Sequence, residues 1–79
     1  MLQDAEVKAI LERSFAPFQC IVQLRPGDQI RFKVKSHSYS IYAELALLLS
    51  SLRENAILTA LIIKVRKHVE EKGYLLDPW

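Results

Sequence analysis

Tyr39-Ser40-Ile41-Tyr42-Ala43-Glu44-Leu45-Ala46-Leu47-Leu48-Leu49 is the stretch on which the fold turns. Read at period two, Ile41, Ala43, Leu45 and Leu47 share one face, as in a half-buried strand. Read at helical period, the same residues also serve, because Ala, Glu and Leu are good helix formers. The residues just downstream separate the two. Ser51-Leu52-Arg53-Glu54 has the Ser-x-x-Glu spacing of a capping box ahead of an apolar-periodic run. A helix is therefore predicted to start at Ser51, and whatever precedes it must end there. We read residues 39–49 as a third strand, with a helix as the alternative.

The helix that follows is predicted over Leu52 to Lys72, with Gly73 as a left-handed residue just past its end. It carries two apolar stripes. At 100° per residue, Ile57, Leu58, Leu61, Ile62, Val65 and Val69 fall in one broad arc. Leu52, Ala56, Ala60 and Ile63 gather on a second arc, roughly opposite. One core can cover one face of a helix; a second apolar face calls for another body. The tail Gly73-Tyr74-Leu75-Leu76-Asp77-Pro78-Trp79 is apolar enough to be that body, and a second copy or a partner protein would serve as well.

Upstream, Asp4 is the expected N-cap of a first helix over Ala5 to Phe15. Val7, Ile10, Leu11 and Ser14 line its inner side, with Phe15 at the edge. Pro17 stops it. Phe18, Cys20, Val22 and Leu24 then alternate with Gln19, Ile21 and Gln23, and Ile30, Phe32 and Val34 alternate with Arg31, Lys33 and Lys35. Arg25-Pro26-Gly27-Asp28 between them is a turn, with Gly27 free to take positive φ. Ser36-His37-Ser38 reads as a polar loop.

The expected fold is thus a small α+β domain in α-β-β-β-α order. A three-stranded antiparallel sheet is packed by two helices; a β-hairpin with three helices is the alternative. All 79 residues form a single domain, with 73–79 as a C-terminal tail. A chain this short buries only about 60% of its unfolded surface, so added constraints are common. Cys20 is the only cysteine, which removes an internal disulfide from the choices. Self-association remains.

Glu12-Arg13-Ser14-Phe15-Ala16-Pro17-Phe18-Gln19-Cys20 resembles a segment of a small family of uncharacterised bacterial proteins, domain of unknown function 1652. In that family a first helix ends in a Phe-x-Pro-x-x-Cys stretch, a hairpin follows, and the chain closes on a helix with an Ala-Ile pair, a Leu-Ile pair and an Arg. Asp28 to Lys35 stands in the second-strand place here, and Ala56-Ile57, Leu61-Ile62 and Arg66 in the helix places. The chain lacks the Gly and Pro usual before that family's third strand. The resemblance implies the order helix, three strands, helix, and brings no activity.

Chemistry-bearing sets are sparse. Cys20 sits in an apolar strand pattern beside no basic residue, where a thiol packs as a small hydrophobe. His37 and His68 have no Asp or Glu at metal-ligand spacing, so no metal or cofactor is expected. Glu70 and Glu71 are consecutive and point about 100° apart on a helix, so they do not share a site. Gly27 and Gly73 are the only glycines, too few for a phosphate loop. Neither an enzyme nor a small-molecule substrate is expected. No apolar run approaches the roughly 20 residues that span a bilayer. Residues 1–6 lack the charged start and apolar run of a signal peptide. A cytoplasmic protein with a reduced thiol is the expectation.

Eleven basic against nine acidic residues give a net charge of +2, which selects no partner. Arg31, Lys33 and Lys35 do form a row on one sheet face, flanked by Arg25 and His37, and such a row would track phosphates. Helix, three strands, helix is also the order of the double-stranded RNA-binding domain. Those domains cluster lysines at the start of the second helix, where this chain offers only Arg53 beside Glu54. The favoured expectation is a non-catalytic, homodimeric regulator or inhibitor that binds a larger protein through its last helix and tail. Leu52, Ala56, Ala60, Ile63, Tyr74 and Trp79 are its contact candidates. Nucleic-acid binding through Arg31, Lys33 and Lys35 is the alternative.

Overall fold

A computed structural model describes residues 1–36 and 40–79. His37, Ser38 and Tyr39, and with them the expected polar loop, the start of the third strand and the place of His37 in the basic row, lie outside the described residues.

The elements run α1 (Asp4–Arg13), β1 (Gln19–Arg25), β2 (Gln29–Lys35), β3 (Ile41–Leu48), a 3-10 turn (Leu49–Arg53) and α2 (Asn55–Glu71). The strands form one antiparallel sheet in the order β1-β2-β3. The α+β class and the strand reading of the Ile41–Leu48 segment are therefore both observed. Period two holds through β2 and through Val22 of β1, but Leu24, expected on the inward face, is 45% exposed beside the hairpin turn. Cys20, Val22, Ile30, Phe32 and Val34 are buried on one face, while Gln19, Ile21, Gln23, Arg31, Lys33 and Lys35 occupy the other. Both helices cover the buried face. Val7, Leu11 and Phe15 descend from α1 and its end; Leu58, Ile62, Val65 and Val69 descend from α2. The Phe15 and Phe32 rings stack with centroids 6.1 Å apart at the centre.

Four local expectations are corrected. First, Asp4 is the first residue of α1, not its cap. Gln3 holds the cap position, where its N–H donates to Glu6 Oε1 at 3.0 Å. The Asp4 carboxylate is taken instead by Arg53, at 2.8 Å. α1 also ends at Arg13, two residues early, with Ser14 Oγ donating to the Ile10 carbonyl. Second, of the expected inward face of β3, Ala43, Leu45 and Leu47 do face the core but Ile41 does not. A bulge falls between the pairs Val34↔Ala43 and Lys35↔Ile41. The extra residue, Tyr42, is buried, and Ile41 is turned out to 52% exposure.

Third, Ser51 caps nothing. It lies exposed within the 3-10 turn, and α2 starts at Asn55 with Glu54 at its N-cap, without a side-chain cap bond. The N–H groups at the start of the 3-10 turn, rather than of α2, are served from a distance. Asp28, at φ +59° in the hairpin turn, accepts the Leu49 N–H on its carbonyl at 2.8 Å and the Ser50 N–H on its carboxylate at 3.1 Å. Asp is among the few residues with a side chain that tolerate this left-handed backbone. Fourth, Leu52 belongs to the 3-10 turn, not to α2. Its side chain points into the core and is 2% exposed, so it is no surface contact.

The last point is measurable. Leu52→Ala is expected to cost about 2–5 kcal/mol in urea denaturation, the range for emptying a buried leucine site. Ile63→Ala, on the exposed side of α2, is expected to stay within about 0.5 kcal/mol of the parent.

Candidate interaction surface

Residues of α2 that do not face the core fall on two flanks. One is the outer side of the helix, opposite the buried Leu58, Ile62, Val65 and Val69. Ala56, Ala60 and Ile63 stand on it at i, i+4 and i+7, all three exposed, with Ile63 at 54%. The other flank overhangs β3 and carries Ile57, Leu61, Lys64 and His68. Ile57, assigned by periodicity to the buried arc, is about half exposed there.

The tail docks back without covering the first flank. Gly73, at φ +93°, closes α2 as expected, and its N–H bonds to the Glu70 carbonyl at 2.9 Å. Lys72 Nζ donates to the Tyr42 carbonyl at 2.7 Å. Tyr74 stacks on Tyr42 with centroids 3.8 Å apart, and Phe18 meets both rings edge-on. Leu76 packs on the core. The Asp77 N–H then reaches the Ala16 carbonyl at 2.8 Å, beside the cis Ala16–Pro17 peptide. Arg66 ties the arrangement together, donating to the Ser14 carbonyl at 2.5 Å and to the Asp77 carbonyl. A guanidinium suits this task because its planar fork serves two acceptors at once.

Of the six contact candidates, then, Leu52 is core and Tyr74 is engaged by Tyr42. Ala56, Ala60 and Ile63 share an open flank. Trp79 joins them at one end. Its ring centroid is 6.0 Å from the Arg66 guanidinium carbon, and it lines a shallow pocket of about 210 Å³ with Ile63, Arg66, Lys67 and Glu70. Arg66 was not singled out as a fastener, though a lone Arg at the border of an apolar stripe was its signal.

The basic row lies where period two put it, on the uncovered sheet face. Lys33 is 3.8 Å from Glu44 and sits opposite Ile21 in the register. Phe32 points into the core, so no aromatic of β2 accompanies the cations. Among the described residues no group of three His, Cys, Asp or Glu is placed to hold a metal ion. No helix of the described residues is long and apolar enough to cross a membrane. No protein-family model matches the chain, and neither a curated protein nor a solved structure matches it.

Cys20 is buried, and burial pushes its thiol up from 9.0 to about 12, with the Glu12 charge adding to the rise. The neutral thiol is favoured in the folded state, which makes it a poor nucleophile. Below pH 9 both states keep the proton and the side chain adds no pH dependence. Between pH 9 and about 12 only the unfolded chain loses it, so folding stability falls through that window. The expected result is a shallower alkaline loss of stability in Cys20→Ala than in the parent, read by urea melts from pH 8 to 11. Parallel curves would refute it.

Proposed function

We propose that this chain is a non-catalytic cytoplasmic interaction module that pairs with a second copy through α2 and regulates a larger protein. The observation that carries this reading is the uncovered row of Ala56, Ala60 and Ile63, continued by Trp79, on a domain whose own tail is already docked elsewhere. Ala56 and Ala60 are four residues apart, so they form a low ridge. Helices packing through such ridges cross at about −50°, and small side chains set their axes near the short end of the 8–10 Å range. Burying a few hundred Å² of apolar surface would contribute several kcal/mol at about 25 cal/mol per Å², before association costs. A reversible, concentration-dependent dimer is the outcome such a balance favours.

The double variant Ala56→Glu, Ala60→Glu places like charges where the two helices would meet. Both sites are exposed, so the monomer fold is expected to persist by circular dichroism. The molar mass by light scattering is expected to fall from twice to once that of the chain. An unchanged mass would reject α2 as the contact.

A second reading, nucleic-acid binding, draws on the shared position of Arg31, Lys33 and Lys35 on the uncovered sheet face. The Glu44 contact of Lys33 and the neighbouring Ile21 weigh against it. In a gel-shift series, phosphate binding would show a log–log salt slope of about −1 or steeper, and Lys33→Ala would flatten it. We expect no salt-dependent shift.

A further inference from the structure

We propose that the open edge of β3, together with the flank of α2 above it, is a receptor for an extended acidic–apolar peptide that adds to the sheet as a fourth strand. The proposal is independent of the pairing surface, which lies on a different side of α2.

Layer widths give the first argument. Two helices side by side, each about 10 Å across, span roughly 20 Å. Three strands at about 4.8 Å spacing span roughly 14 Å, and four span roughly 19 Å. The helical layer is thus wider than the sheet by about one strand. A mainly apolar groove of about 470 Å³ lies over β3, between Ala43, Leu45 and Leu47 below and Leu61 and Val65 above, with Glu44 also on its strand side, 3.8 Å from Lys33.

The backbone gives the second. The order β1-β2-β3 leaves β3 at an edge, with no strand beyond it among the described residues. The Tyr42 carbonyl faces away from β2, where Lys72 takes it, and the Leu49 N–H faces Asp28 on the β2 side. Backbone groups alternate along a strand in an antiparallel ladder. Glu44, Ala46 and Leu48 therefore present their N–H and C=O groups to the open edge. Such a row is a template for another strand unless it is blunted by charge or proline. The only charged residue of β3 is Glu44.

Charge selects the occupant. Lys64 and His68 stand on the groove's helical rim, and Lys64 has no ion-pair partner among the described residues. Glu44 is already in contact with Lys33, so among the described residues the free cation of the groove is Lys64, and an incoming carboxylate is what complements it. With alternate apolar side chains under α2 and a carboxylate beside Lys64, a single extended segment would satisfy the edge, the groove and the rim together, the known mode of strand addition.

The probe is a capped octapeptide alternating Val and Thr, with Glu at one terminal Val position, made with Glu at either end. Its effect is read by amide hydrogen exchange of the full chain. One of the two peptides is expected to slow exchange at Glu44, Ala46 and Leu48 by tenfold or more. The same peptide N-methylated at alternate amides is expected to have no effect. Lys64→Glu is expected to weaken the Glu peptide at least tenfold and to favour a Lys peptide instead. The proposal is overturned if no peptide slows those amides, if the N-methylated peptide acts equally, or if Lys64→Glu changes nothing. Protection of the same amides that rises with protein concentration, without peptide, would assign the edge to a second copy and overturn it as well. None of these results depends on Ala56 or Ala60, so failure here is separable from failure of the dimer.

Discussion

Asp28 joins two parts of the chain that are 22 residues apart, and the course of everything after β3 depends on it. Its left-handed backbone turns the β1–β2 hairpin so that its carbonyl and carboxylate both face the end of β3. By accepting the Leu49 and Ser50 N–H groups, it ends the ladder and starts a tight 3-10 turn. That turn drives Leu49 and Leu52 into the core and aims α2 back along the sheet. Hydrogen bonds to a charged acceptor contribute about 1.5–3 kcal/mol each, less at an exposed site like this one. Their larger effect is geometric, because they select which residues of the final segment face inward.

The tail repeats the same logic at the other end of α2. Arg66 gathers the Ser14 and Asp77 carbonyls, and Lys72 takes that of Tyr42. Each donor satisfies an acceptor that the regular elements leave unpaired, at a helix end, in the tail and at a bulge. The Phe18, Tyr42 and Tyr74 rings fill the space between them. The bulge is what brings Tyr42 into this cluster, at the expense of Ile41, which is turned to the outer face.

Much of this fold was legible in the residues, for reasons that also mark where legibility ends. The hairpin is a period-two pattern around a Pro-Gly turn, so its strands and, except at Leu24, its inward face follow from local signals. The core stripe of α2 is likewise local. Tyr42 was placed on the wrong face because its burial depends on partners that lie 24 residues before it and 32 after it, in Phe18 and Tyr74. Leu52 was misassigned for a different reason. Helical phase was carried back across Glu54, whose extended backbone (ψ 119°) breaks the helix. A wheel drawn through such a break puts a core residue on the surface. The Ser51 box failed because Leu49–Arg53 form a 3-10 turn and the extended backbone of Glu54 moves the start of α2 to Asn55. Of the candidate surface, Ala56, Ala60 and Ile63 were legible as an excess of apolar helix. The overhang above β3 was not, because it is a relation between two layer widths and belongs to no single segment.

The two flanks of α2 differ in kind, and the sheet is the cause. On its outer side, opposite the core, what stays uncovered is a low ridge of alanines and Ile63 that ends near Trp79. On the side toward β3, the sheet stops one strand short, and what stays uncovered is backbone as well as side chain. A ridge of small residues is complementary to another helix; an edge with a groove is complementary to an extended chain. A module with one surface of each kind would be able to hold a second copy and a peptide at once, since α2 separates them by its own width of about 10 Å. Occupying the groove would also set a fourth strand under Leu61 and Val65 and stiffen α2 from below. Any coupling between the two surfaces would therefore run through the orientation of this one helix, which Arg66 ties to the end of α1 and to the tail.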